Sequence, residues 1–226
     1  MAFEPASAVD RALEKMRQAA ETTNDQVTNF SELLIETAHN MTTPDNNSDD
    51  AVSHHIEQAD FFLEAGNELA AIAELEQAHE AAPDCAQVID TLGALKFKQD
   101  DTEEARLLFR RLIELRPSDS RAYTQLAMVA FSLEKYNEFE SALGLALELD
   151  SNNCEALRLL GRVNLQNERW LEAAQAYRKL IELEPEDIDC LLALAMCLFK
   201  GDERDAAHAT YTRVLEFDPE NLTAVK

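Results

Sequence analysis

Along most of this chain, apolar side chains fall in pairs of helical stripes separated by short polar breaks. In residues 86–119 the first stripe is Ile89, Leu92 and Gly93, and the second is Ala105, Phe109, Leu112, Ile113 and Leu115. Residues 154–187 carry Leu157, Leu160 and Gly161, then Ala173, Tyr177, Leu180, Ile181 and Leu183, at the same offsets. Steps of three and four predict amphipathic α-helices. The breaks, such as Asp100-Asp101-Thr102 and Glu168-Arg169-Trp170, predict tight turns, so each stretch reads as two antiparallel helices.

The spacing is a strict repeat. Pro83, Pro117, Pro185 and Pro219 stand 34, 68 and 34 residues apart, with Ser151 in the skipped place. A period of 34 cuts the chain into five units, 52–85, 86–119, 120–153, 154–187 and 188–221, with no insertion or deletion. Counting slots from the first residue of each unit, slot 8 reads Ala59, Gly93, Ala127, Gly161, Ala195 and slot 20 reads Ala71, Ala105, Phe139, Ala173, Ala207. Small side chains at two fixed points mark close helix crossings, and slot 24 (Leu75, Phe109, Leu143, Tyr177, Tyr211) supplies the bulk beside them. Proline at slot 32 must end the second helix, because it lacks the donor and disfavours helical geometry in the residue before it. The polar residue after it, as in Pro83-Asp84 or Pro117-Ser118, is expected to cap the next helix.

The combination of Leu92-Gly93, Ala105, Phe109 and Pro117, repeated as Leu160-Gly161, Ala173, Tyr177 and Pro185, resembles the tetratricopeptide repeat over residues 52–221. The resemblance implies an all-α fold, an α-solenoid of stacked antiparallel helix pairs in a right-handed superhelix. It also implies a concave face, lined by the first helices, that takes a peptide or partner protein. Local departures are Phe139 at the small slot 20, Lys96 and Asn164 at the aromatic slot 11, and His55 and Gln58 at apolar slots of the first unit. The first unit is therefore expected to pack less tightly or to act as an end cap.

On either side of the repeats the pattern changes. Residues 7–41 contain no glycine or proline, and Leu13, Met16, Ala20, Thr23, Val27, Phe30, Leu34, Thr37 and Met41 form a heptad seam. It predicts an amphipathic helix over the segment 1–41, able to dock or to form a homodimer. Residues 42–51, TTPDNNSDDA, read as a polar linker. Leu222 to Lys226 read as the start of a further, truncated helix, with Tyr211, Val214 and Leu215 expected to lie partly uncovered beside it. On that reading the chain is the front of a longer protein; the alternatives are a short natural terminus or array ends that meet in a homodimer.

Charge narrows the partners. The net charge is -24, and residues 1–85 hold 18 acidic against 3 basic side chains. Such a chain repels phosphate backbones and anionic lipid surfaces, which leaves protein as the expected partner, with no nucleic acid and no membrane insertion. No stretch is long and apolar enough for a membrane span and no signal peptide is visible, so a cytoplasmic chain is expected. Cys85, Cys154, Cys190 and Cys197 form no CxxC pair and read as reduced, mostly buried thiols. Five glycines leave little for phosphate-cradling loops, and the nucleotide-binding, nucleophile-elbow and zinc-helix motifs are absent. His39, His54, His55, His79 and His208 share no repeat slot. No catalytic site, cofactor or metal is expected.

The informative surface is the stripe at slots 2, 5, 9, 12 and 13 of the first helices. Slot 12 gives a ladder of Leu63, Phe97, Phe131, Leu165 and Phe199; slot 9 adds Met128, Arg162 and Met196; Arg121 and Arg158 bring further positive charge. These residues are candidates for a partner-binding groove, a row of apolar anchors. The competing reading packs slot 12 against the neighbouring first helix. Two specialised uses that the resemblance brings to mind do not fit. A clamp for a terminal carboxylate needs Lys, Asn, Asn and Arg where Ile56, Asp60, Thr91 and Gln125 stand, with Arg121 alone fitting its basic slot, and an asparagine ladder is missing from slots 6 and 9. The sequence thus points to a non-enzymatic interaction scaffold. The alternative is the recruiting or oligomerising region of a larger enzyme, such as a glycosyltransferase or methyltransferase.

Overall fold

The computed structural model describes residues 48–221 and residue 223. The heptad seam of residues 7–41 and the truncated helix expected from Leu222 onward lie outside the described residues, Thr223 apart. Ten helices run through the rest in pairs: α1 (Ser48–Glu64) with α2 (Glu68–Ala81), α3 (Ala86–Lys98) with α4 (Thr102–Leu115), α5 (Ser120–Ser132) with α6 (Tyr136–Leu149), α7 (Cys154–Gln166) with α8 (Trp170–Leu183), and α9 (Ile188–Lys200) with α10 (Arg204–Phe217). No strand occurs among the described residues. From α4 onward every helix begins 34 residues after its counterpart in the preceding pair. The first helix starts earlier than expected. Ser48 to Ala51, read as linker, already belong to α1, where small polar and acidic residues suit a helix start facing the positive end of the helix dipole.

Two compact bodies divide within α3, between Leu95 and Lys96. In the first, α1 packs on α2. Its core holds Ala59, Phe62, Ala71, Leu75 and Ala78, and His55 Nδ1 meets Glu74 Oε2 of α2 at 2.7 Å, so a polar contact stands at this apolar slot. In the second body each helix from α4 to α10 packs on the next, and α5 also touches α7. Phe109, Leu112, Leu180, Leu191 and Val214 are fully buried there. Each contributes about 1.5–3 kcal/mol by leaving water. Val214, expected to lie partly uncovered, is enclosed instead, and only Tyr211 and Leu215 keep partial exposure.

The helix ends repeat as faithfully as the core. Slot 31, before the proline, is an extended residue whose N–H still bonds the last turn: Ala82, Arg116, Glu184 and Asp218 all do so, and so does Asp150, which precedes Ser151. Packing imposes the same stop with or without the ring. The caps sit one residue later than expected, at slot 34: Asp119, Asn153 and Asp187 accept from the backbone N–H groups of α5, α7 and α9. Their extended backbone places the side-chain oxygen over the first turn.

Within each pair the turn is a Schellman motif. The slot 16 N–H returns to the slot 11 carbonyl, as from Asp101 to Lys96, Lys135 to Ala130 and Arg169 to Asn164. Slot 15 is then left-handed: Gly66 (φ 74°), Asp100 (64°), Glu134 (57°), Glu168 (58°) and Asp202 (64°). Four of these five carry a Cβ in a region that favours glycine.

Candidate interaction face and clefts

The crossings of the second body set where side chains can reach the surface. In the fourth pair Gly161 faces Tyr177 so closely that a Cβ would stand 2.8 Å from the ring, and Ala173 is fully buried. Burial raises the Tyr177 hydroxyl to about 12. In the third pair the bulk is reversed. Phe139 occupies the small slot 20, and Phe131 packs on it with ring centroids 5.2 Å apart, with Tyr136 at 6.4 Å.

This packing divides the slot 12 ladder. Leu63 in the first body and Phe97 and Phe131 in the second are half-buried; Leu165 is half-buried too and packs on the core cluster around Leu157 and Tyr177. Phe199 alone among them is open, at 56% exposed, beside Met196 at 37%, while Met128 is half-buried. The ladder is therefore core toward its middle and free at its last rung. Of the ten candidate residues, Phe131, Arg162 and Leu165 are brought together, lining a cleft of about 210 Å³ with Leu159, Gln166 and Tyr177. Arg162 is exposed and forms no ion pair among the described residues. Arg121, in the first turn of α5, is exposed beside the Asp119 cap.

Arg158 is placed differently from expectation. Its guanidinium donates to Asp187 Oδ2 and Glu184 Oε2, both at 2.8 Å, and lies 2.9 Å from Cys190 Sγ. These bonds, Asp187 first, raise its pKa and hold it charged. Burial would lift the Asp187 carboxyl, but the hydrogen bonds from Cys190 and Arg158 outweigh it and hold the group below its usual range. Arg158 thus ties α7 to the start of α9. The sequence offered no sign of this, since its partners lie 26 and 29 residues away.

The same slots are bridged without charge one unit earlier. Asn153, while capping α7, donates to Ser120 Oγ and Thr124 Oγ1, and Ser120 in turn donates to the Ala146 carbonyl. A surface network of Glu103 with Lys135 and Arg106, and of Arg106 with Glu138, joins α4 to the third pair. The bond from Lys135, then that from Arg106, lowers the Glu103 pKa. Cys190 and Cys197 are buried thiols, pushed by burial to about 12 and about 11. Among the described residues, no three His, Cys, Asp or Glu side chains gather where a metal could bind. No described helix is long and apolar enough to cross a membrane.

A larger cleft, about 500 Å³, opens between α6 and α7, with walls that include Phe131, Phe139, Leu143, Leu147, Leu160 and Val163. Gly144 and Asn164 also line it. Its only trace in the sequence is those two departures from pattern, a glycine on an exposed helix face and an asparagine at slot 11, where Phe62 and Leu198 fill the corresponding space in other pairs.

Comparison with known proteins bears on the fold. Two models of the tetratricopeptide repeat match, one over residues 91–154 and one over 164–226. Among solved structures, MamA from Desulfovibrio magneticus RS-1 is similar at a TM-score of 0.66 and 19% identity, covering 76% of this chain and 98% of that one. YrrB, described as a TPR protein with an unusual peptide-binding site, gives 0.59 and 19%, covering 76% and 89%. A tetratricopeptide repeat protein from Parabacteroides merdae gives 0.65 and 16%, covering 77% and 69%. No curated protein matches. At these identities the structural likeness speaks for the fold alone.

Proposed function

The chain belongs to the tetratricopeptide repeat family, a family of protein-interaction scaffolds, and from that premise we propose that its first helices hold a peptide segment of a partner protein without catalysing a reaction. The observation that carries the reading is the convergence of Phe131, Leu165 and Arg162 on one cleft. Apolar walls beside an exposed, unpaired guanidinium suit an extended segment that pairs an apolar side chain with a carboxylate. Met196 and Phe199, open on α9, add a second apolar foothold on the same type of helix. The peptide-binding description of YrrB, on a similar fold, supports the class of ligand. The reading places the protein in the cytoplasm, in keeping with four unpaired cysteines, and calls for no cofactor.

The test is selection from a displayed random-peptide library against the full chain, followed by affinity measurements on variants. Arg162→Glu should weaken peptides carrying a carboxylate by about tenfold at low salt, and Met196→Ser with Phe199→Ser should weaken apolar ones similarly. All three residues are exposed, so helical circular dichroism and Tm should hardly move. Selected peptides that bind the triple variant as tightly as the parent would show that the first-helix face is not the site.

A further inference from the structure

The two clefts of the second body adjoin, since Phe131, Val163 and Gln166 line both. Arg162 lines the smaller and Arg169 the larger. Both arginines are exposed, and neither forms an ion pair among the described residues, although the chain carries a net charge of -24. Arg106, Arg111, Arg158, Arg178 and Arg204, by contrast, each hold a carboxylate. Glu140, the acid on the wall of the larger cleft, pairs with neither arginine. Two unpaired guanidiniums beside apolar walls set the chemistry of an occupant, which is apolar side chains flanked by carboxylates.

The chain holds such a segment ahead of α1. Residues 18–47 have five acids and no Lys or Arg, and within them 25–36, DQVTNFSELLIE, set Val27, Phe30, Leu33, Leu34 and Ile35 among Asp25, Glu32 and Glu36. Residues 11–17, with Arg11, Lys15 and Arg17 against Glu14, have the opposite sign. Asp25 and Glu32 are seven positions apart, as are Arg162 and Arg169, a separation of roughly 10 Å by helical rise. We infer that residues 25–36 of the chain occupy these adjoining clefts, apolar side chains against Phe131 and Val163 and carboxylates on Arg162 and Arg169, so that a peptide from another protein must displace them. Eleven residues separate Glu36 from Ser48 and reach up to about 40 Å when extended, more than the roughly 26 Å length of the 17-residue α1. Tethering supplies an effective concentration on the order of millimolar, so a weak match suffices, whereas a second copy would bring its own charge of -24 against the first. The inference rests on the scaffold reading and gives the same clefts a resident occupant.

The test is fluorescence anisotropy on full-length chains, with a labelled synthetic peptide of residues 24–37 as the probe. The parent is compared with a full-length variant, Asp25→Lys, Phe30→Ser, Glu32→Lys and Leu34→Ser, whose own segment no longer fits the clefts. The probe should bind that variant about tenfold more tightly than it binds the parent, where the resident segment competes. Adding Arg162→Glu and Arg169→Glu to the variant should cost about tenfold, and a probe carrying Asp25→Lys and Glu32→Lys should regain it on the reversed clefts. Both arginines are exposed, so helical circular dichroism and Tm should not follow these changes. Equal probe affinity for parent and variant, no saturable binding to the variant, or no rescue by charge reversal would each overturn the inference. So would a parent that sediments as a dimer beside a monomeric segment variant, which would assign the segment to a second copy. Library-selected peptides separate the two readings: if they bind the segment variant through Arg162 and the 24–37 probe does not, the scaffold stands and the resident segment falls.

Discussion

The third and fourth helix pairs have the same length, the same backbone and the same slots, yet distribute bulk and charge in opposite ways. At the crossing, the third pair buries Phe139 at slot 20 against Phe131, and the fourth buries Ala173 at that slot and sets Gly161 against Tyr177. At the junction, the third uses Asn153 to bridge Thr124, and the fourth uses Asp187 to bridge Arg158, with Glu184 as a second acceptor. A slot in this fold thus fixes where a side chain points and what it must reach, while the volume and the chemistry are settled between partners. Only sums over a pair are constrained.

The sharpest way to break this comparison is to exchange the residues at slot 20. Phe139→Ala restores the common residue of the slot, yet Phe139 is 5% exposed and supports Phe131, so the change should cost about 3–5 kcal/mol. Ala173→Leu moves in the other direction and should overpack its crossing by about 1–3 kcal/mol, whereas Glu172→Leu on the exposed neighbour should cost little. Denaturant unfolding measures all three. A neutral or stabilising Phe139→Ala would mean that the repeat pattern outweighs the local partner.

The glycines give a smaller contrast of opposite sign. Gly144→Ala meets open space and should stabilise by about 0.5–1 kcal/mol through helix propensity. Gly161→Ala gains the same propensity but drives a Cβ into the Tyr177 ring, for a net loss of about 1 kcal/mol. Thermal melts of the two variants should shift in opposite directions.

Smallest is the difference between the junctions in acid. The Asp187 carboxyl is held low in the fold, so its stabilisation is present above the unfolded carboxylate value near 3.9 and is lost as pH falls through the lower folded value. The Asn153 junction contains no titrating partner among its hydrogen bonds. Below about pH 4, amide exchange should therefore quicken at Cys190 and Leu191 before it does at Ala156 and Leu157. Arg158→Gln should bring the same local loosening at neutral pH, at a cost of about 0.5–1 kcal/mol given how much solvent reaches the pair.

What could be read from the letters follows the range of each interaction. The helix pairs and their period were legible because the small, large and proline slots act within a few turns of one helix on its neighbour. The cap was misplaced from slot 33 to slot 34 because both slots are polar, and only the observed start of the helix distinguishes Ser118 from Asp119. Arg158 looked like a groove cation because its slot faces outward in pattern; its carboxylates arrive from a later turn, over a distance no periodicity encodes. The slot 12 ladder differs in exposure from rung to rung for a related reason. Whether Phe131 is core depends on Phe139, the exception in its own column, and Phe199 packs on no other ring among the described residues. The α6–α7 cleft was visible only as two separate oddities, Asn164 and Gly144, which come together in space alone.

The left-handed residue at every turn between paired helices has a consequence for how much stability this architecture leaves unused. Glycine stands there once, in Gly66, while Asp100, Glu134, Glu168 and Asp202 hold the same backbone with side chains that resist it. Each also sets a negative charge at the negative end of the helix before it. Such positions cost on the order of 1 kcal/mol or more apiece, and glycine's greater freedom when unfolded returns only part of that. Turns in separate pairs share no partner, so their increments should add. The array therefore carries an untapped reserve spread over four sites, and could drift or be engineered toward higher melting temperature by changing turns alone, with every surface that meets a partner left as it is.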